Sequence, residues 1–185
     1  MTRGIPARAP VWLWFQDETR FGRISDRRRG WAPWPNRPTV GHQVIREYLD
    51  VLAAVRPGHG HLCPLIMPWV DAETMSVFLA HIARQQESAH GVMLLDGAGW
   101  HRANELRVPH NLRLLFLPPY SPELNPVEHL WDHLRENYIG NRTFDSLDQV
   151  ETFLSAALAE LIPQTDLIRS LTSFEWLNTL YLTAN

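Results

Sequence analysis

The order of hydrophobic signals in these 185 residues predicts a mixed α/β fold, a five-stranded sheet flanked by helices. Two observations carry that expectation. Short apolar runs are interleaved with longer segments of helical period, and Pro57-Gly58-His59-Gly60 places a strong turn signal between two of the runs. Strands joined by a tight turn pair antiparallel, whereas strands joined through a helix form right-handed crossovers and can lie parallel. Both kinds of connection occur, so the sheet is mixed.

Val11 to Gln16 is apolar, aromatic-rich and short, the profile of a buried strand. Arg20 to Pro38 is rich in Arg, Gly, Pro and Trp and reads as an irregular excursion. Gln43 to Val55 and Gly60 to Met67 form a hairpin around the turn signal. Asp71 caps a helix over Ala72 to Gln86, where Met75, Phe78, Leu79 and Ile82 share one face. Val92 to Leu95 is the next buried strand. Arg102 to Arg107 reads as a short helix that stops before Pro109, and Leu112 to Leu117 as a further strand. Asn125 suits a helix N-cap, with Pro126 at the first helical position and Glu128 at the third, and that helix runs to about Tyr138. A long helix spans Leu147 to Leu161, and the tail from Ile168 to Leu182 reads as helical. No repeat, low-complexity tract or linker divides the chain, so residues 1–185 are expected to form a single domain.

Hydrophobic residues make up 45% of the chain, which removes disorder as the default. The net charge of −3 gives no global basic signature for nucleic acid. All 17 basic residues are Arg, a bias that genome composition alone could produce. Their placement is uneven: Arg20, Arg23, Arg27, Arg28, Arg29 and Arg37 crowd one segment. Guanidinium forks suit phosphate oxygens, so this segment is a candidate DNA contact, with a solvated loop as the plain alternative. Cys63 is the only cysteine, which excludes an internal disulfide and a cysteine-based zinc site. No apolar run reaches membrane-spanning length, and no membrane partner is expected.

Acidic residues sit at the ends of separate apolar signals. Asp17 ends Val11-Trp12-Leu13-Trp14-Phe15-Gln16, Asp96 ends Val92-Met93-Leu94-Leu95, and Glu128 follows a Pro-rich run from Leu117 to Val127. A carboxylate at the end of a buried strand is costly unless something pairs with it. Several brought together repel unless a cation lies between them. Hard oxygen donors of this kind suit Mg²⁺ or Mn²⁺, and two such ions held together serve in-line displacement at phosphate. The parallel arrangement would bring Asp17 and Asp96 to the same end of the sheet, where α/β folds place their ligands.

Three pieces of sequence carry a family resemblance: Phe15-Gln16-Asp17-Glu18, Leu94-Leu95-Asp96-Gly97-Ala98-Gly99-Trp100-His101, and the long stretch Leu117-Pro118-Pro119-Tyr120-Ser121-Pro122-Glu123-Leu124-Asn125-Pro126-Val127-Glu128-His129-Leu130-Trp131. In this order they resemble the catalytic domain of mariner-like bacterial insertion-sequence transposases of the DDE superfamily. The resemblance implies an RNase H-like fold, with Asp17, Asp96 and Glu128 as the catalytic, metal-binding triad for two Mg²⁺ or Mn²⁺ ions. It implies cleavage of transposon ends, joining of the freed 3′-hydroxyl to target DNA at TA dinucleotides, and a homo-oligomer on DNA. With no leader pattern and no membrane-length run, the expected setting is the bacterial cytoplasm, in association with the nucleoid. Gly97 departs from the pattern, standing where many relatives have Asn, and the stretch between Asp96 and Glu128 is shorter than usual. Only ten residues precede the first strand, so the amino-terminal helix-turn-helix region of the family is expected to be absent, with a separate helix-turn-helix chain as a candidate partner.

Several residues carry two readings. Asp17 as a metal ligand competes with a salt bridge to Arg20 or another Arg. Glu18 faces away from Asp17 by strand alternation and reads as a supporting residue. Glu128 also fits a capping box with Asn125, and Glu123 and Asp132 are its fallbacks as ligands. His101 is a candidate contact to a DNA phosphate or to water, or a plain surface His. His129 and His133 have the spacing of a zinc pair but read better as an exposed helix face. Trp31, Trp34 and Trp100 either stack on unpaired bases or pack. At the level of function, the alternatives are another RNase H-like nuclease and a non-catalytic fragment that oligomerises with, or interferes with, a full-length enzyme.

Overall fold

The computed structural model describes residues 10–36, 38–86, 88–174 and 176–177. Arg37 and the end of the anticipated tail helix lie outside these residues. The sheet has five strands: β1 (Val11–Ile24), β2 (Val44–Arg56), β3 (His61–Met67), β4 (His90–Leu95) and β5 (Leu112–Phe116). Their spatial order is β3-β2-β1-β4-β5. β1–β2 and β2–β3 pair antiparallel, while β1–β4 and β4–β5 pair parallel, which is the mixed sheet the connections require. Among the described residues, four α-helices are α1 (Ala72–Gln85), α2 (Val127–Leu134), α3 (Leu147–Leu161) and α4 (Thr165–Thr172), and they flank the sheet.

Strand alternation divides the core into two. Phe15, Phe21, Val51, Ala53 and Val55 face one side and pack with Leu130, Trp131, Leu154 and Leu158 of α2 and α3. Trp14, Leu52, Ala54, Met93 and Leu95 face the other and pack against Met75, Phe78, Leu79 and Ile82 of α1. These four α1 residues are fully buried, as their helical spacing requires. Asp71 caps α1 through a reciprocal box with Thr74, whose N–H donates to Asp71 Oδ1 at 2.8 Å.

The structure corrects several expected boundaries. β1 does not stop before Asp17 but runs on to Ile24, because β2 pairs with it as far as Ile24↔Val44. The Arg-rich excursion therefore begins only at Ser25. The helix expected over Arg102 to Arg107 is not formed. A 3₁₀ turn lies just upstream at Gly99–Arg102, and the Arg107 N–H donates to Ser76 Oγ on α1 at 3.0 Å instead of closing a helical turn. The helix after Asn125 starts at Val127 and passes at Leu134 into a π-helical turn, Arg135–Ile139. Within the tail expected to be helical, α4 spans Thr165–Thr172, residues 173–174 leave the helix, and residues 176–177 are helical again.

Gly60 closes the β2–β3 turn with φ 60, in the left-handed region, and a Cβ there would stand 1.9 Å from the Thr165 carbonyl oxygen. Gly60→Ala is expected to destabilise the fold by about 1–2 kcal/mol from backbone conformation alone, with the clash adding to that. Chemical denaturation checks this; an unchanged denaturation midpoint would contradict it.

Candidate active site

Asp17 lies just beyond Phe15, the last β1 residue paired with β4. On its other side its backbone stays in register with Ala53 of β2. β4 ends at Leu95, so Asp96 is the residue that leaves it, at the same end of the sheet. The Leu117 N–H donates to Leu95 O at 2.8 Å, which sets the Pro118–Pro122 segment beside Asp96. Glu128 is in the first turn of α2. The structure thus brings Asp17, Asp96 and Glu128 together as lining residues of one cleft of about 500 Å³. Tyr120, fully exposed and with φ 58, stands on the cleft wall.

Polar links dock α2 on β1. Asn125 Nδ2 donates to Gln16 O at 2.9 Å, Trp131 Nε1 donates to Asp17 Oδ2 at 2.8 Å, and Arg135 Nη2 donates to Thr19 Oγ1. Glu128, Trp131 and Arg135 are spaced three and four apart and share a helix face, so the same docking carries Glu128 to the cleft. The capping-box reading of Glu128 does not hold: the Asn125 N–H donates to Pro122 O at 2.8 Å, and Asn125 Oδ1 accepts from Val127 N–H at 3.3 Å. Glu123 and Asp132 are exposed and lie outside the cleft lining.

The electrostatics are those of crowded acids. Burial, then the charges of Glu128 and Glu18, push the Asp17 carboxyl up to about 8, against the stabilising indole hydrogen bond. Burial also raises the pKa of Glu128, assisted by Asp132 and Asp96 and opposed by Arg135. The salt bridge from Asp17 to Arg20 is not formed; Arg20 pairs with Asp50 at 3.1 Å. Asp96 is held through one oxygen, Oδ1, which accepts from Ala98 N–H at 2.9 Å and from His101 Nδ1–H at 2.9 Å. Among the described residues, no hydrogen bond is made to Asp96 Oδ2 or to Asp17 Oδ1, which leaves an oxygen of each available to a cation. Hard oxygen donors under mutual repulsion fit Mg²⁺ or Mn²⁺.

His101 is buried beneath this site rather than on a surface that DNA could touch. Its Nε2 lies 3.5 Å from Glu18 Oε2, an ion-pair contact. Glu18 also accepts from Gln16 Nε2 at 3.0 Å. Burial opposes charge on the imidazole, but Glu18 and Asp96 outweigh it and raise its pKa. Ligand-type atoms of Glu18, Asp96 and His101 lie within 4.8 Å of one another. With the ring placed between two carboxylates, the group reads as a charge-paired support for Asp96.

The other candidates separate. Arg23 pairs with Glu47 at 2.7 Å and Arg28 with Asp26 at 3.1 Å. Arg27 and Arg29 are exposed and form no ion pair among the described residues. Trp31 and Trp34 are fully exposed, while the Trp100 Nε1 is buried. His129 Nδ1–H donates to Leu171 O at 2.9 Å and His133 lies beside Asn137, so the two rings have separate partners. Sequence reasoning missed Trp131, Arg135, Asn125 and Arg102. The first two are legible as the helical neighbours of Glu128; Arg102 carries no sequence signal.

Residues 12–151 match the family model described as DDE superfamily endonuclease. The chain belongs to this family. A relative from Sinorhizobium fredii (strain NBRC 101917 / NGR234), the uncharacterized protein y4pE/y4sA, is 43% identical over 127 residues, covering 68% of this chain and 94% of its own. The fold is RNase H-like and is shared with Mos1. The Mos1 mariner paired end complex with Mn matches with a TM-score of 0.61 at 17% identity, over 88% of this chain and 56% of that one. The Mos1 Strand Transfer Complex matches with a TM-score of 0.60 at 18% identity, over 88% and 55%. The chain therefore spans little more than half the length of the Mos1 chains it matches. Among the described residues, no helix is long and apolar enough to cross a membrane.

A carboxyl that titrates near 8 in the fold and at 3.8 ordinarily holds its proton in the folded state while the unfolded chain has lost it. Metal-free protein should therefore lose stability as the pH rises from about 4 to about 8. Asp17→Asn should raise the melting temperature in EDTA at about pH 8, with the gain shrinking toward about pH 5. A pH-independent difference between the two proteins would contradict the shift.

Proposed function

We propose that this chain is the catalytic domain of a metal-dependent DNA transposase, which cleaves transposon ends and joins the 3′-hydroxyl to target DNA. The observation that carries the reading is the convergence of Asp17, Asp96 and Glu128 on one cleft, from the interior of β1, the end of β4 and the first turn of α2. Membership of the DDE superfamily endonucleases and a fold shared with a mariner transposase support it.

The three carboxylates would hold two Mg²⁺ or Mn²⁺ ions, in keeping with the Mos1 mariner paired end complexes with Mn and with Mg. When bound, such ions activate water or a 3′-hydroxyl as nucleophile and stabilise the leaving oxygen in an in-line displacement. The protein's own part is to fix the ligands. Trp131 holds one oxygen of Asp17, and Ala98 and His101 hold one oxygen of Asp96, so the carboxylates keep their geometry with little reorganisation. Beyond the cleft, the exposed Arg27 and Arg29 are the members of the basic segment best placed to meet phosphate. Arg20, Arg23 and Arg28 are already paired with carboxylates and add less. We assign recognition of transposon ends to a region other than this catalytic domain, in the same or a companion chain. Joining two ends calls for a homo-oligomer on DNA.

Mg²⁺ or Mn²⁺ should raise the melting temperature of the wild type by linkage, and Asp96→Asn should reduce that rise. Glu128→Gln should abolish Mn²⁺-dependent nicking of plasmid DNA while circular dichroism shows an intact fold. Nicking by a well-folded Glu128→Gln protein would sink the catalytic assignment. Cleavage by the wild type of RNA–DNA hybrid but not of DNA would favour a different RNase H-like nuclease.

DNA affinity of the domain should fall steeply with salt, because phosphate contacts dominate it. Replacing Arg27 and Arg29 together by Ala should weaken binding to any sequence alike and lower the salt slope by up to ~1.8, about 0.9 per contact. Titrations of unrelated duplexes at several salt concentrations check this; an unchanged slope would place the contacts elsewhere.

A further inference from the structure

We propose that Arg102 is a phosphate anchor for the DNA strand lying in the carboxylate cleft, and that Gly97 makes room for it. The inference rests on the cleft being a DNA-cleavage site. Arg102 ends the 3₁₀ turn Gly99–Arg102 and lines the cleft together with Asp17, Asp96 and Glu128. It is the one basic side chain among the residues that line it. Its exposed guanidinium forms no ion pair among the described residues, unlike Arg20, Arg23 and Arg28.

The guanidinium is nevertheless held in place. Its Cζ lies 4.7 Å from the centroid of Phe116, on β5, in a cation–π contact. A Cβ on Gly97 would meet Arg102 Nη2 at 2.8 Å, Cζ at 3.3 Å and Nε at 3.4 Å. The fork therefore rests against the Gly97 backbone, in space that a side chain at position 97 would contest. An exposed Arg normally loses much rotamer freedom on binding, and a stacked one has lost part of it beforehand. A cleft of three carboxylates repels the phosphates on either side of the bond being cut. A pre-oriented fork on its rim supplies both charge and paired donors for a non-bridging oxygen pair. The residue next to the second carboxylate and the cation five residues further on thus act as one unit.

The test uses 5′-labelled duplexes cut by the protein with Mn²⁺, each carrying one neutral methylphosphonate. In the wild type, the neutral linkage should suppress cutting by about tenfold at a bond a fixed number of nucleotides away, the loss expected for one charge-assisted contact. Arg102→Ala should cut all bonds more slowly and show no suppression at that offset. Arg102→Lys, which keeps the charge but not the fork, should recover part of it. Gly97→Ala should slow cutting in the wild type and have no further effect in Arg102→Ala. In Ca²⁺, without cutting, Arg102→Ala should lower the salt slope of duplex binding by about 0.9 while circular dichroism shows an intact fold. Equal methylphosphonate patterns in wild type and Arg102→Ala would overturn the Arg102 assignment and leave the cleavage reading standing. Failure of the wild type to cut or bind any duplex would overturn both.

Discussion

β1 pairs with β4 from Val11↔His90 to Phe15↔Leu94 and then parts from it, while β2 keeps β1 in one register to Gly22↔Tyr48 and, past a register shift, pairs with it again at Ile24↔Val44. The whole site is arranged around that parting. Past Phe15 one flank of β1 is no longer paired with β4, and the cleft opens there beside the chain leaving β4. Asp17 and Asp96 are the residues at that point. Because β5 follows β4 in parallel and hands its Leu117 N–H to Leu95 O, the Pro-rich segment is delivered to the same place, and α2 begins just after it. A gap of this kind arises at the carboxyl ends of parallel strands, where α/β proteins site their chemistry.

Bringing acids together at such a gap works against stability, and the fold supports them unevenly. Asp17 receives an indole N–H, which favours its charged form yet does not offset burial and its acidic neighbours. Asp96 is more exposed and is steadied by a backbone N–H and by His101. Glu18 extends this support from the far face of β1, so two adjacent acids on one strand take different parts: one lines the cleft, the other balances a buried imidazole. That division follows from strand alternation alone. The result is a group of carboxylates positioned in advance, whose mutual repulsion a bound cation would relieve.

Much of this is legible in the sequence because it rests on local signals. Five strand signals, the Pro57–Gly60 turn, the capping of α1 by Asp71 and the span of α3 all follow from period and cap chemistry. The mixed topology follows from the connections. Asp17 and Asp96 stand out because each ends an apolar run, and Glu128 through the Leu117–Trp131 stretch that carries the family resemblance. What could not be read depends on distant parts of the chain. The length of β1 beyond Asp17 is set by β2, and residues 102–107 turn away from helix because a serine on α1 takes the Arg107 N–H. His101 looks like a surface residue until Glu18 and Asp96 are seen on either side of its ring. Arg102 gives no signal, since its significance lies in Phe116 beneath it and in the missing side chain at Gly97.

Asp17 and Glu18 occupy consecutive positions on a strand whose faces alternate, and this limits how the chain can vary in length. One residue gained or lost between Val11 and Gln16 would exchange the two acids between faces, sending Trp14 and Phe15 into the wrong halves of the core as well. The described residues between Ile24 and Val44 lie outside the ladder and are free of that parity. Length variation among relatives should therefore be tolerated after Ile24 and largely absent before Asp17, so that the spacing from the start of β1 to its first acid marks the lineage more faithfully than the residues in between.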